Sequence, residues 1–267
     1  MNHRRQLVFV ILATHVAAAP AATAGEPLQP LDIFELEWAS DPQISPDGEW
    51  IAYVRNFMDV MTDSRRSNIW LVSFDGEVHR PLTSGNDDNT SPRWSPNGDR
   101  LVYVATSDGS AQLHMRWMDS GQTAKLTNLT RSPGSLSWSP DGAWIALSMF
   151  VPDEPEPLAE MPTAPRGAEW ADPPRVIERM IYRADGAGFL EPGYTHLFVV
   201  PAEGGTPRRV TSGDFDHDGR PVWTADGRSL VFSANRHDDW ELEPVNSEIY
   251  ELSLDDDGIR PATERFG

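Results

Sequence analysis

The stretch Trp138-Ser-Pro-Asp-Gly-Ala-Trp-Ile-Ala-Leu147 occurs in three further versions. They are Ile44-Ser-Pro-Asp-Gly-Glu-Trp-Ile-Ala-Tyr53, Trp94-Ser-Pro-Asn-Gly-Asp-Arg-Leu-Val-Tyr103 and Trp223-Thr-Ala-Asp-Gly-Arg-Ser-Leu-Val-Phe232. Each reads as a tight turn followed by a strand. Proline presets φ at the second turn position, Asp or Asn bonds its own backbone, and Gly takes the left-handed exit. The run after Gly is apolar, β-branched or aromatic, with little polar alternation. That pattern predicts a strand covered on both faces.

Every copy has a downstream companion. These are Asn68-Ile-Trp-Leu-Val-Ser73 with Pro81-Leu-Thr83, Gln112-Leu-His-Met-Arg-Trp117 with Lys125-Leu-Thr127, His196-Leu-Phe-Val-Val-Pro201 with Arg209-Val-Thr211, and Glu248-Ile-Tyr-Glu-Leu-Ser253 with Pro261-Ala-Thr263. A glycine turn separates the two runs of each companion, as in a hairpin. One unit is therefore about four strands. A unit repeated at this period makes the chain an all-β propeller of four-stranded blades, four of them recognisable and part of a larger ring.

Ser45 and Ser95 are 50 residues apart, Ser95 and Ser139 are 44 apart, and Ser139 and Thr224 are 85 apart. Only one companion lies in the long gap, so residues 151–194 read as an insertion within a blade. Its prolines, Pro152, Pro155, Pro157, Pro162, Pro165, Pro173 and Pro174, oppose regular ladders. Within it, Val176-Ile-Glu-Arg-Met-Ile-Tyr-Arg183 is the part expected to pair as a strand. Long insertions in a compact domain are often functional loops. Asp32 is placed to cap a short helix ahead of the first blade.

Residues 1–24 read as a signal peptide: a basic start at Arg4-Arg5, an apolar run from Leu7, and a small-x-small site at Ala22-Thr23-Ala24. The propeller would then fill residues 25–267, in a protein exported to the periplasm or beyond. The apolar run is shorter than a membrane span, and no other segment is long enough to span after cleavage. The net charge of -19 argues against nucleic acid as a partner. The chain has no Cys and hence no disulfide framework.

Three constellations bear on chemistry. Asp214-Phe-Asp-His-Asp-Gly219 imitates half a calcium loop, but Ala225 stands where a bidentate Glu is needed, so a solvated inter-blade loop is expected. The histidines of the mature chain show no zinc spacing, and no metal or cofactor is expected. Trp94, Trp138 and Trp223 share one repeat position and read as inter-blade packing residues, whereas Trp170 has no counterpart and is a candidate for contacting a partner.

The Trp-Ser-Pro-Asp-Gly phrase, the Val200-Pro-Ala-Glu-Gly-Gly-Thr-Pro207 hairpin and Leu82-Thr-Ser-Gly85 resemble the TolB-type propeller repeat. The opening Leu31-Asp-Ile-Phe34 and Ser40-Asp-Pro-Gln-Ile-Ser-Pro-Asp-Gly48 resemble the N-terminal propeller of secreted prolyl oligopeptidase family serine peptidases, of the acylaminoacyl-peptidase and dipeptidyl-aminopeptidase type. The likeness covers residues 31–267. It implies a propeller that gates oligopeptide substrates to an α/β-hydrolase domain carrying a Ser-Asp-His triad. No Gly-x-Ser-x-Gly elbow occurs here, the nearest string being Gly227-Arg-Ser-Leu-Val231, so no catalytic residue is assigned to this chain. The alternative is a non-enzymatic, TolB-like periplasmic propeller that binds proteins. The resemblance to dipeptidyl-peptidases also implies that Asp239, Trp240, Glu241 and Glu243 grip a substrate's α-amino group.

Overall fold

The computed structural model describes residues 27–107, 109–153, 162–171 and 175–263. Residues 1–24, the expected signal peptide, lie outside them, as do residues 154–161 and 172–174 of the insertion. A short 3-10 helix, Pro30–Glu35, precedes the sheets. Asp32 sits inside it and accepts the Gln29 N–H at 2.7 Å, so it caps from the third helical position.

Eighteen strands follow among the described residues. The first blade holds β1 (Glu37–Ile44), β2 (Trp50–Asp59), β3 (Ser64–Ser73) and β4 (His79–Pro81). The second holds β5 (Asp88–Trp94), β6 (Arg100–Ser107), β7 (Ser110–Trp117) and β8 (Thr123–Lys125). The third opens with β9 (Pro133–Trp138) and β10 (Trp144–Pro152). A separate hairpin, β11 (Arg183–Ala184) and β12 (Gly188–Phe189), comes next. The third blade then closes with β13 (Gly193–Pro201) and β14 (Arg208–Arg209). The fourth holds β15 (Val222–Trp223), β16 (Ser229–Ala234), β17 (Glu248–Ser253) and β18 (Ile259–Pro261). All four blades are antiparallel meanders, and β10 pairs directly with β13 across the insertion.

The repeated phrase builds the same turn four times. In the third blade the Ser139 hydroxyl accepts the Trp144 N–H at 2.9 Å and donates to Asp141 at 2.5 Å, while Asp141 accepts the Ala143 N–H at 3.0 Å. Ser45 and Thr224 repeat the pattern, and Ser95 does so with Asn97 and Asp99. Gly142 exits at φ 69° and donates to the Ser139 carbonyl. The serine hydroxyl, then the backbone N–H, hold the Asp141 carboxyl below the usual carboxylate range. Asp47 and Asp226 are lowered by the same pair of bonds.

A second repeated latch closes each blade's outer edge. The threonine ending each unit, Thr83, Thr127, Thr211 or Thr263, accepts a backbone N–H from the third strand, namely that of Ile69, Leu113, Leu197 or Ile249. Three of these threonines also meet the polar side chain that opens the third-strand run: Gln112, His196 and Glu248.

Packing between blades uses both faces of the central strand in the second and third blades. Successive side chains of β6 go to opposite cores. Leu101, Tyr103 and Ala105 face the first blade, and Val102 and Val104 face the third. In β10, Ile145, Leu147 and Met149 join the second-blade core, while Ala146 joins the fourth-blade core. The expectation of two covered faces holds for these two strands only. In β2 and β16 alternate residues are buried, because a neighbouring blade covers one face alone. Inner strands are joined by indoles. Trp94, Trp138 and Trp223 donate Nε1–H to the carbonyls of Gln43, Arg93 and Ser137, at 3.0, 3.0 and 3.1 Å. Each acceptor lies two residues before the turn Ser of the preceding blade. Ile44 holds the tryptophan position in the first blade and is 64% exposed. Val222 holds the acceptor position in the fourth and is 58% exposed.

Two expectations need correction. Residues 176–182 form no strand, and only Arg183–Ala184 pairs, across the Asp185 turn, with Gly188–Phe189. The edges of β10 and β13 are already filled by β9 and β14, which leaves the segment no ladder to join. The loop at 214–219 is not simply solvated. Asp216 accepts the Thr195 N–H at 2.7 Å, and His217 is fully buried. The first blade uses Asp88 alike, accepting the Ser67 N–H at 2.9 Å, with buried Asn89 next in chain.

His217 Nδ1 donates to the Thr195 carbonyl at 3.2 Å, and its Nε2 accepts from Arg236 at 2.5 Å. The ring stacks on His196, with centroids 5.3 Å apart, and lies against Phe232. Burial first, then the Arg236 charge, push its pKa from the ordinary 6.5 down to about 4. The unfolded chain therefore takes up a proton near pH 6.5 that the folded chain refuses until about pH 4.

Folding stability is thus expected to fall as pH drops from 6.5 to 4, by up to about 3 kcal/mol from this group. His217→Gln should flatten that slope in urea unfolding series. Trp138→Phe, which removes the indole bond to the Arg93 carbonyl and leaves that oxygen its ladder pairing with Val102, should cost about 1 kcal/mol. Ile44→Ala should stay within about 0.5 kcal/mol, as a test of its open position.

Candidate functional site

A cavity of about 1040 Å³ opens where the insertion meets the third and fourth blades. Its floor comes from the ends of β10 and β13, through Phe150, Tyr194 and Thr195. One wall is the insertion, from Arg175 to Pro192, and the opposite wall carries Asp216, Asp218, Trp240 and Glu241. Six carboxylates line it, Asp153, Glu178, Glu191, Asp216, Asp218 and Glu241, against the guanidinium groups of Arg175 and Arg179. The excess of negative charge in a partly enclosed space favours a cationic ligand group.

Local sequence explains each wall. Gly193 sits at φ 145°, and a Cβ there would meet the Val151 carbonyl oxygen at 2.4 Å and Phe150 Cζ at 2.5 Å. Only glycine lets the insertion return to β13 at that point. The β11–β12 hairpin carries Phe189, flanked by Arg175 at 4.0 Å and Arg183 at 5.9 Å from its ring centroid. Arg131, from the second blade's end, pairs with Glu191 at 2.6 Å.

The fourth-blade loop, residues 235–247, is a series of tight turns. The Trp240 N–H donates to the His237 carbonyl at 3.1 Å, and the Leu242 and Glu243 N–H groups converge on the Asp239 carbonyl at 2.8 and 3.0 Å. Asn235 Nδ2 donates to the Glu243 carbonyl at 2.8 Å, closing the loop at its base. Arg236 roots it in the core, with its guanidinium on His217 and over the rings of Phe215 and Tyr250, at 5.0 and 5.7 Å. Burial pushes the Arg236 pKa down and the Tyr250 pKa up.

Of the four sequence-predicted residues, two face the cavity. Trp240 and Glu241 line it, and Asp239 and Glu243 are exposed outside that lining. Glu241 Oε1 is enclosed, with no hydrogen-bond partner among the described residues. Sequence reading missed the insertion's contribution, Arg179 and Tyr194 above all, because neither lies in a repeated position that differs visibly between blades. Trp170 is 47% exposed. Among the described residues no cluster of His, Asp and Glu is arranged to hold a metal, and no helix is long and apolar enough to cross a membrane.

Residues 36–153 match the family model described as the TolB beta propeller domain. The chain is 33% identical over 205 residues to the "Uncharacterized peptidase YuxL" of Bacillus subtilis, a match spanning 76% of this chain and 30% of that protein. It is 22% identical over 264 residues to dipeptidyl-peptidase 5 of Porphyromonas gingivalis, spanning 92% of this chain and 38% of that protein. Among solved structures, the acylaminoacyl peptidase of Pyrococcus horikoshii superposes with a TM-score of 0.63 at 17% identity, over 86% of this chain and 33% of that one. A puromycin-hydrolyzing peptidase of Mycobacterium tuberculosis gives 0.55 at 13% identity, over 85% and 31%. The last two establish likeness of fold. The chain spans about a third of the length of the relatives that it matches. The chain is a β-propeller of four-stranded blades in which residues 36–153 match the TolB beta propeller domain, and it is similar over part of their length to proteins named as peptidases.

Proposed function

We propose that the chain is the substrate-gating propeller portion of an exported serine peptidase of the prolyl oligopeptidase type, hydrolysing oligopeptides. The catalytic α/β-hydrolase domain would be supplied outside residues 1–267. The observation that carries this reading is the 33% identity to a protein named as a peptidase, of which this chain spans only 30%. The absence of a nucleophile elbow from the sequence agrees with it. So does the acidic cavity, since an oligopeptide's amino terminus is a cation at neutral pH.

In this reading a peptide's α-ammonium group enters the cavity and is received by Glu241 over the face of Trp240. Asp239 and Glu243 act on the same group from the loop's outer side, through field and turn geometry. A charge-assisted bond between ammonium and carboxylate needs one unpaired carboxylate oxygen, which Glu241 offers. The second reading, a TolB-like periplasmic propeller that binds proteins without catalysis, has in its favour the family model matched at residues 36–153.

Three measurements test this. Sequencing the reading frame past codon 267 should reveal further blades and a Gly-x-Ser-x-Gly elbow; a stop codon there would favour the binding propeller. In the full-length enzyme, Glu241→Gln should raise KM for substrates with a free α-amino group roughly ten- to hundredfold and leave kcat in place. Glu243→Gln should have a smaller effect, and an unchanged KM in both variants would remove the amine clamp. Export with cleavage after Ala24 should give a mature amino terminus at Gly25, read by amino-terminal sequencing.

A further inference from the structure

Arg179 holds an unusual place in the cavity. Its guanidinium carbon lies 4.0 Å from the ring centroid of Tyr194 and 5.8 Å from that of Trp240. Its Nη1 donates to the Gly193 carbonyl at 3.1 Å. The cavity wall is rich in carboxylates, yet among the described residues none pairs with this guanidinium. The cation is thus held by aromatic faces and a backbone carbonyl. These groups select for planar, weakly hydrated cations.

The segment that delivers it has few other attachments. Residues 176–182 pair with no blade strand, and Ile177, Met180 and Ile181 are exposed. The cavity keeps room beside Arg179 for a second group. Glu241 Oε1, on the opposite wall beside Trp240, is enclosed and has no hydrogen-bond partner among the described residues. A free arginine side chain could lie in the Tyr194–Trp240 slot and also turn a donor to Glu241. The tethered Arg179 makes the first contact without the second.

We infer that the slot between Tyr194 and Trp240 is a binding site for the guanidinium side chain of an arginine-bearing peptide, and that Arg179 occupies it from within the chain as a competing internal ligand. Binding then requires Arg179 to leave, which breaks its bond to the Gly193 carbonyl and widens the cavity beside Tyr194. A tethered competitor acts at millimolar effective concentration or above, so it lowers the apparent affinity of weak ligands substantially. The site shares Glu241 with the proposed amine clamp. It is separable from it, because a side-chain cation remains when the α-amino group is blocked.

The test is calorimetric titration of this chain, at low salt, with Nα-acetyl-arginine amide as probe and Nα-acetyl-citrulline amide as its uncharged isostere. Arg179→Met should bind the arginine probe roughly tenfold or more tighter than the parent, as expected for vacating a cation–π site. The citrulline probe should show no gain. Trp240→Ala added to Arg179→Met should abolish the increase. A variant that binds the arginine probe no better than the parent, or gains equally for citrulline, overturns the inference. If Arg179→Met lacks a cooperative melt, Arg179→Gln, which keeps a donor for the Gly193 carbonyl, is read by the same criteria. Loss of peptidase activity in a full-length enzyme would not bear on this result, nor would this result decide that activity.

Discussion

An indole N–H given to the backbone carbonyl of the neighbouring blade is the contact from which the rest of the stack follows. Each acceptor residue, Gln43, Arg93 or Ser137, is already paired within its own blade, with Ala52, Val102 or Ala146, so the indole uses the carbonyl's second lone pair to reach across the joint. By placing Trp94, Trp138 and Trp223 immediately before the turn Ser or Thr, the chain ties each inner strand to the one before it and sets the rotation of each blade on the last. Arg93 strengthens the joint between the first two blades by pairing with Asp41 at 2.7 Å, and Arg100 lies over the Trp138 ring at 5.2 Å. The alternation of β6 and β10 side chains between two cores then becomes possible, since each blade is presented squarely to both neighbours.

Much of this was legible in the residues. The four turn phrases and their companions mark every blade, because the turn needs Ser or Thr for its hydroxyl, Asp or Asn for its acceptor, and Gly for its positive φ. The fully buried His217 was not legible as such. A histidine between aspartates in a loop looks solvated until Asp216 is aligned with Asp88, five residues after the unit's final threonine in both blades. The run at 176–182 has strand-like composition, but β-propensity records fit to a half-buried surface, and no such surface is open beside β10 or β13.

The site was half legible. The cluster around Trp240 could be placed on a loop between two strands, and it is there. Which of its carboxylates face inward depends on the turns between His237 and Glu243, where two N–H groups gather on one carbonyl and rotate successive side chains apart. Tyr194 is unremarkable in sequence, an aromatic residue opening a strand. It becomes part of the site because Gly193 lets the start of β13 approach the end of β10 at a distance no side chain would allow.

The division of adjacent residues between separate cores has a consequence for how such a chain can change over time. Ile145 and Ala146 are neighbours in the chain but serve different interfaces, so each blade carries two unlike surfaces, one fitted to its predecessor and one to its successor. A duplicated blade arrives with both kinds of surface and with the indole-to-carbonyl joint that the blades share. Gain or loss of whole units is therefore a smaller step than reshaping one joint, and drift at one interface obliges compensation in the blade next door. The insertion escapes this constraint, since it leaves and re-enters between paired strands without touching either joint's register. It is the part of the molecule free to diverge while the blades keep one another in place.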